Sequence, residues 1–254
     1  MNYYIFGSSG FIGLAMVRHL TEAKQHVFRV PRNITPRELD KMFDAVNPDY
    51  IMNFAAYGNH NYQKDFEMMV KANILATYNI LETARYYDYK LFYNVTTSST
   101  MLSRQTGYSI TKYCGEQITN LYERTINVMP YSVYGPGESE YRLIPTVISR
   151  LISGRDMILE ENAVHSWIYI DDFIKAMLEG KTELGGKQVK NIEIVKILEE
   201  ISGKKLHYTP GRLRDYDCGD ARPPKPICYT SLEDGLKRTY EHFTRKDNRA
   251  VQEA

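Results

Sequence analysis

An excess of charge of either sign is missing: 32 basic residues stand against 31 acidic ones, a net charge of +1. That balance leaves no electrostatic footprint for nucleic acid or an anionic membrane, and a small-molecule ligand becomes the default partner. Cysteine is scarce, with Cys114, Cys218 and Cys228 forming no CxxC pair. An odd number at such spacings supports neither a disulfide framework nor a zinc site, so the thiols read as buried or idle. Long hydrophobic runs are absent as well, and the chain enters a strand-like stretch at Tyr3 without a basic n-region. Neither a secretion signal nor a membrane span is expected, and the expected location is cytoplasmic. No internal repeat and no low-complexity linker interrupts the sequence. What is present is a chain of 254 residues, 43% of them hydrophobic. That is enough core for one large α/β domain, alone or with a smaller appendage.

Strand-like and helix-like runs alternate along it, the pattern of a parallel sheet covered by helices. Strands are expected at 3–6, 26–30, 50–56 and 91–97, and helices at 14–23, 36–46, 66–87 and 109–124. The longest helical stretch carries apolar Ile74, Tyr78, Leu81 and Ala84 at three- and four-residue steps. Beyond "MPYSVYGPGE" the order loosens into short elements, and "TRKDNRAVQEA" is polar enough to fray.

Three features carry chemistry. Gly7, Gly10 and Gly13 follow the first strand and open the first helix. In that context a glycine turn lets a pyrophosphate approach backbone N–H groups and the positive end of the helix dipole. In "TGYSITKYCGE", Tyr108 and Lys112 lie four apart, on one face of a helix. A phenol titrates near 10, so acid/base work near pH 7 needs its phenolate favoured, which a neighbouring ammonium supplies in part. Ten residues upstream of Tyr108, a strand ends in "VTTSST" (95–100), setting hydroxyls at the carboxyl edge of the sheet. Open α/β sheets bind their ligands along that edge.

These residues resemble the extended short-chain dehydrogenases/reductases, often called NAD-dependent epimerase/dehydratase proteins, which act largely on nucleotide sugars. "GSSGFIG", "NFAAYG", "KANILATYNILETAR", "YSITK", "YSVYGPGE", "WIYIDDF" and "SLEDGLKRTYEHF" match the family's motifs in the family's order over about the first 245 residues. The resemblance implies a Rossmann-type doubly wound parallel sheet. It implies a dinucleotide-binding domain over 1–130 and a mainly substrate-binding region over 131–245, while composition alone makes 246–254 a polar tail. It gives Tyr108 the role of acid/base, Lys112 that of holding the nicotinamide ribose and favouring the phenolate, and Ser98, or alternatively Thr97, a hydrogen bond to the reacting sugar oxygen. Dinucleotide contacts fall on Gly7, Ser9, Gly10, Phe11, Ile12, Gly13, Ala55, Ala56, Tyr108 and Lys112. Substrate contacts fall on Thr97, Ser132, His165 and Arg222. No metal is implied, and a homodimer through the helices around YxxxK is.

The departures narrow the activity. The family's dehydratases and decarboxylases carry acidic residues just after the catalytic hydroxyl, where this chain has Ser99 and Thr100. Ser132 stands where the family often has Asn, and His165 where it often has Arg. At the end of the second strand, where a carboxylate would bind an adenosine ribose, the chain has "VPRN", with Arg32 beside Pro31. A guanidinium there suits a 2'-phosphate, so the cofactor reading is NAD(P) with a lean to NADP(H). The expected function is hydride transfer on a nucleotide sugar, with 4-epimerase slightly ahead of an NADPH-dependent 4-keto-sugar reductase. A non-catalytic dinucleotide-binding regulator is the remoter alternative.

Overall fold

A computed structural model of the chain describes residues 1–102, 105–213 and 225–252. Two units divide it: Met1–Pro130 with Met177–Thr182, and Tyr131–Ala176 with Glu183–Ala254.

In the first unit the apolar runs form strands and the amphipathic runs cover them. The order is β1 (Asn2–Phe6), α1 (Phe11–Glu22), β2 (His26–Arg29), α2 (Pro36–Ala45), β3 (Tyr50–Asn53) and α3 (Phe66–Val70). A π-helical turn (Lys71–Leu75) leads into α4 (Ala76–Ala84), β4 (Leu91–Val95), a 3-10 turn (Ser98–Met101), α5 (Gly107–Thr119) and β5 (Thr125–Pro130). The strands run parallel in the order β2-β1-β3-β4-β5, with Ile5 opposite Met52, Met52 opposite Tyr93 and Tyr93 opposite Ile126. Parallel strands are covered on both faces, which is why Tyr4, Ile5, Ile51, Met52 and Phe92 are all buried. This is the doubly wound parallel sheet expected from the sequence, in the order that places its topological switch between β1 and β3. β2 stands at the margin of the sheet.

Local chemistry sets the element ends. Thr35 and Glu38 form a reciprocal capping box at α2 with Pro36 in the first turn, and Thr106 and Ser109 do the same at α5. β3 stops at Asn53, three residues before the expected end, because the Asn53 Oδ1 accepts the Ala55 N–H at 3.2 Å and turns the chain away. β4 stops at Val95 because the Thr97 hydroxyl accepts the Ser99 N–H and starts the 3-10 turn. The long helical stretch ends at Ala84 and is interrupted by the π turn, which apolar periodicity does not reveal.

The second unit holds β6 (Ser132–Tyr134), α6 (Leu143–Ser153), β7 (Met157–Leu159), β8 (Val164–Tyr169), all but the last two residues of α7 (Ile170–Leu178), β9 (Glu183–Leu184), β10 (Gln188–Lys190), α8 (Asn191–Ser202), β11 (Tyr208–Pro210) and α9 (Leu232–Gln252). β8 lies between β10 and β6, antiparallel to the first and parallel to the second. α6 packs on α8 and α9, and Ile144, Val147 and Ile148 of α6, Val195 and Leu198 of α8 and Leu236 of α9 are all buried. Buried Asp172 accepts the Thr230 N–H at 2.8 Å and its hydroxyl at 2.7 Å, fastening the strap that leads into α9. α9 runs on to Gln252 through residues expected to fray, because Arg, Ala and Gln favour helix however polar the stretch is.

α5 lies close against the π turn. A Cβ on Gly115 would stand 2.4 Å from the Asn73 carbonyl oxygen, which is backbone and cannot swing aside. Gly115→Ala is therefore expected to destabilise the protein by roughly 1–3 kcal/mol, measured as a lowered urea midpoint with an unchanged slope.

Candidate active site

The loop after β1 is built by exclusion of side chains. Gly7 has φ +70, and a Cβ on it would stand 2.6 Å from the Ala55 nitrogen. A Cβ on Gly13 would stand 2.2 Å from the Gly7 carbonyl oxygen, which also accepts the Gly10 N–H at 3.0 Å. α1 thus starts just after Gly10, with no side chain capping it and no acidic residue in its first turn. Its first N–H groups and dipole suit an anion, and the glycines give that anion access to the backbone. Ser9 and Gly10 are exposed, Phe11 and Ile12 half-buried; Ala55 is half-buried and Ala56 exposed at the end of β3. The residues present fit a dinucleotide pyrophosphate.

Arg29 is a residue that sequence reading missed. It ends β2, and its guanidinium reaches the glycine loop, with Nη2 donating to the Ser8 carbonyl at 3.4 Å and Nε to the Ser8 hydroxyl at 3.5 Å. Arg32 is exposed three residues further on, followed by Asn33 in the left-handed region at φ 63. The signal was available in "FRVPRN", where two arginines flank Val30 and Pro31 at the end of the second strand.

The second part of the site is carried by α5. Tyr108 sits half-buried in its first turn, and Lys112 one turn later is only 4% exposed. The Lys112 ammonium donates to the Val95 carbonyl at 2.5 Å, where β4 ends. Burial pushes its pKa down to about 8, opposed by the charge of Glu116. Glu116 is itself pushed up by burial, and its buried Oε2 has no partner. α5 packs against the 3-10 turn that holds the hydroxyls. There Thr97 donates to the Ser99 Oγ at 3.0 Å, the Thr100 hydroxyl donates to the Thr97 carbonyl at 2.9 Å, and Ser98 is half-buried. One unit thus holds the glycine loop, the hydroxyl turn, Tyr108 and Lys112, a set able to bind a dinucleotide and move a proton at a bound hydroxyl.

Ser132 and His165 lie on neighbouring strands of the second unit. Ser132 is opposite Trp167, and the His165 and Trp167 rings meet edge to face at 5.5 Å. Arg222 and Cys218 lie outside the described residues. Cys114 is half-buried and Cys228 exposed. Another residue missed from the sequence is Glu138, in the glycine-rich turn after β6. It is buried 3.7 Å from the Arg142 guanidinium, its Oε2 has no partner, and burial pushes its pKa up to about 8. Among the described residues no cluster of His, Cys, Asp and Glu could hold a metal ion, and no helix is long and apolar enough to cross a membrane.

A glycine loop opening a helix, with a tyrosine and a buried lysine one turn apart on a later helix, defines a dinucleotide-binding enzyme of the doubly wound class. The model of the NAD dependent epimerase/dehydratase family matches residues 3–190, and the chain belongs to that family. Among curated relatives, the dTDP-glucose 4,6-dehydratase of Neisseria gonorrhoeae is 25% identical, with 97% of this chain and 98% of the relative covered. That alignment spans 339 positions against the 254 residues of the chain, so the chain lacks internal stretches that its relative has. Solved structures with the same fold include a UDP-glucose 4-epimerase of Thermotoga maritima with UDP-glucose, 22% identical at TM-score 0.84, covering 97% of this chain and 99% of the other. A UDP-glucuronic acid 4-epimerase of Bacillus cereus in complex with NAD is 21% identical at TM-score 0.79, covering 96% and 97%.

Lys112 links the site to stability. Its folded pKa of about 8 lies below the ordinary 10.5, a difference of about 3 kcal/mol set against folding while the ammonium is charged. The unfolded chain binds more protons between those values, so the stability of the protein rises with pH through that window. Lys112→Met removes the buried charge but leaves the Val95 carbonyl without its donor, at about 1 kcal/mol. The variant is expected to be about 2 kcal/mol more stable at pH 7 and to lose that advantage towards pH 10.5, read from urea unfolding across the pH range.

Proposed function

We propose that the protein is an NAD(P)-dependent enzyme that transfers hydride at a carbinol carbon of a nucleotide sugar, with 4-epimerisation the favoured reaction. The observation that carries this reading is the Lys112 ammonium, kept buried on the Val95 carbonyl one helical turn from Tyr108. Burying a charge works against folding, and a protein that only bound a dinucleotide would have no use for an acid/base tyrosine set beside it. In this reading Gly7, Ser9, Gly10, Phe11, Ile12, Gly13, Ala55 and Ala56 hold the dinucleotide within residues 1–130, and the region 131–245 mainly receives the sugar nucleotide through Ser132, His165 and Arg222. The bound dinucleotide supplies hydride acceptance and return at the sugar carbon. Tyr108 takes the carbinol proton and gives it back, Lys112 favours the phenolate, and the hydroxyl of Ser98 or Thr97 holds the sugar oxygen in line.

Dehydration is disfavoured although the Neisseria relative is named for it. Eliminating water needs a carboxyl group after the catalytic hydroxyl, and residues 98–100 of this chain are Ser, Ser and Thr. A homodimer fits the apolar side chains left on adjoining helices: Phe66, Leu75 and Tyr78 from α3 to α4, with Ile110 and Tyr113 from α5, are 44–54% exposed. Reduction of a 4-keto sugar is the second reading, and Arg29 at the end of β2 and Arg32 beyond it favour it, because they suit the 2'-phosphate of NADPH.

Epimerisation returns the hydride it takes, so it runs without added reductant. UDP-, dTDP-, GDP- and CDP-hexoses supplied with the enzyme are expected to give a C4-inverted product by NMR. Tyr108→Phe is expected to lower that turnover by ~10²–10⁴ while dinucleotide binding is kept. Stoichiometric loss of NADPH with a 4-keto sugar and no inversion would establish the reductase instead.

The choice of dinucleotide is tested separately. A charge-assisted hydrogen bond is worth roughly 1.5–3 kcal/mol, so loss of the arginine that reads the 2'-phosphate is expected to weaken NADP binding about ten- to a hundredfold and leave NAD unchanged. Titrations of Arg29→Ala and Arg32→Ala with both dinucleotides decide which arginine reads it; equal losses for NAD and NADP in both variants would remove the preference.

A further inference from the structure

Three asparagines stand side by side across the sheet. Asn53 on β3 is opposite Asn94 on β4, and Asn94 is opposite Asn127 on β5. Asn53 and Asn94 are each 1% exposed. Their side-chain amides form one chain of hydrogen bonds, Asn53 Nδ2 donating to Asn94 Oδ1 at 3.4 Å and Asn94 Nδ2 to Asn127 Oδ1 at 2.9 Å. Backbone groups at the two ends fix its direction. The Ala55 N–H can only donate, so Asn53 turns its oxygen to it, at 3.2 Å. The Glu116 carbonyl on α5 can only accept, so Asn127 turns its nitrogen to it, at 3.3 Å, and reaches the Asn120 Oδ1 at 2.8 Å with the same nitrogen. The second hydrogen of the Asn53 nitrogen goes to the Thr77 hydroxyl on α4 at 3.2 Å. No amide in the row can be reversed without facing a donor with a donor or an acceptor with an acceptor.

The row therefore ties the loop after β3, at Ala55, to α5 at the residue one turn beyond Lys112. Asn94 is at its centre and immediately precedes Val95, whose carbonyl holds the Lys112 ammonium. We propose that Asn94 is a positioning residue, its two amide links fixing the seat of α5 on the sheet so that Lys112 reaches the Val95 carbonyl and Tyr108 is presented beside it. The proposal rests on the catalytic reading of Tyr108 and Lys112, and goes beyond it by naming what holds them in register.

The test follows the Lys112 amine directly and needs no substrate. Protein labelled with ¹³Cε-lysine is titrated by NMR, the Lys112 signal being the one lost in Lys112→Met. The expected midpoint is near pH 8 in the native chain. Asn94→Leu fills the same space but makes neither link, and water reaches the displaced ammonium, so the midpoint is expected to rise by a unit or more. Asn127→Ala, at the half-buried end of the row, is the second variant should Asn94→Leu not fold, and the same direction is expected. Met16→Ala, a core truncation on α1, serves as a control for general loosening and is expected to leave the midpoint where it was. An unmoved midpoint in a folded Asn94 or Asn127 variant, or an equal rise in Met16→Ala, would overturn the proposal. If the midpoint rises but no sugar is turned over by the native protein, the positioning role stands and the catalytic reading fails. Where turnover is measured, Asn94→Leu is expected to lower kcat tenfold or more with KM within about threefold.

Discussion

The ammonium of Lys112 is the constraint around which the first unit is arranged. A buried cation needs an acceptor placed in advance, because the protein interior cannot reorganise around it as water does. The acceptor is a strand carbonyl at the end of β4, and meeting it requires α5 to lie deep against the sheet. Depth in turn requires a residue without a side chain where the helix crosses the π turn, which is Gly115. The π turn leaves the Asn73 carbonyl with the Thr77 hydroxyl as a donor, at 3.2 Å, and the Asn73 side chain bridges the Tyr57 backbone and the Thr111 hydroxyl. The glycine contact, the irregular helix and the row of asparagines are parts of one solution to one electrostatic demand.

Sequence and structure agree where a signal is local and repeated. Strand-like runs and the glycine spacing were legible because burial on both faces and a tight turn each demand particular residue types at each position. Tyr108 and Lys112 were legible because four residues on a helix is one turn. Element ends were not, since they depend on single side-chain bonds such as Thr97 to the Ser99 N–H, which compete with the strand over a distance too short for periodicity to register. The asparagines left a faint trace, one asparagine inside each of "YIMNF", "LFYNV" and "TINVM". Only the register of the strands turns three isolated oddities into a row. Arg29 was hidden by alternation: inside a strand it reads as a solvent-facing residue, and its reach back to Ser8 is a fact of the loop rather than of the strand.

Family membership and chemistry answer different questions in this chain. The fold is shared with enzymes that invert sugars and matches at low identity one that dehydrates them, so fold alone does not choose between the reactions. In the function proposed for the chain, the choice falls to a few side chains at one turn. Hydroxyls at 98–100 can hold an oxygen and relay a proton, but none can act as the acid that expels water.

Placing β2 at the margin of the sheet bears on how the protein meets its neighbours in a crowded solution. A bare strand margin presents unpaired N–H and C=O groups and is a template for another chain to extend. β2 is four residues long, with exposed His26 and Arg29 at its ends and Pro31 just beyond. A run that short gives an incoming strand few bonds to form, charge at its end discourages an apolar partner, and proline offers no donor to continue the ladder. A sheet trimmed to this order can therefore stay closed to edge-to-edge aggregation without a further strand or helix laid over the margin.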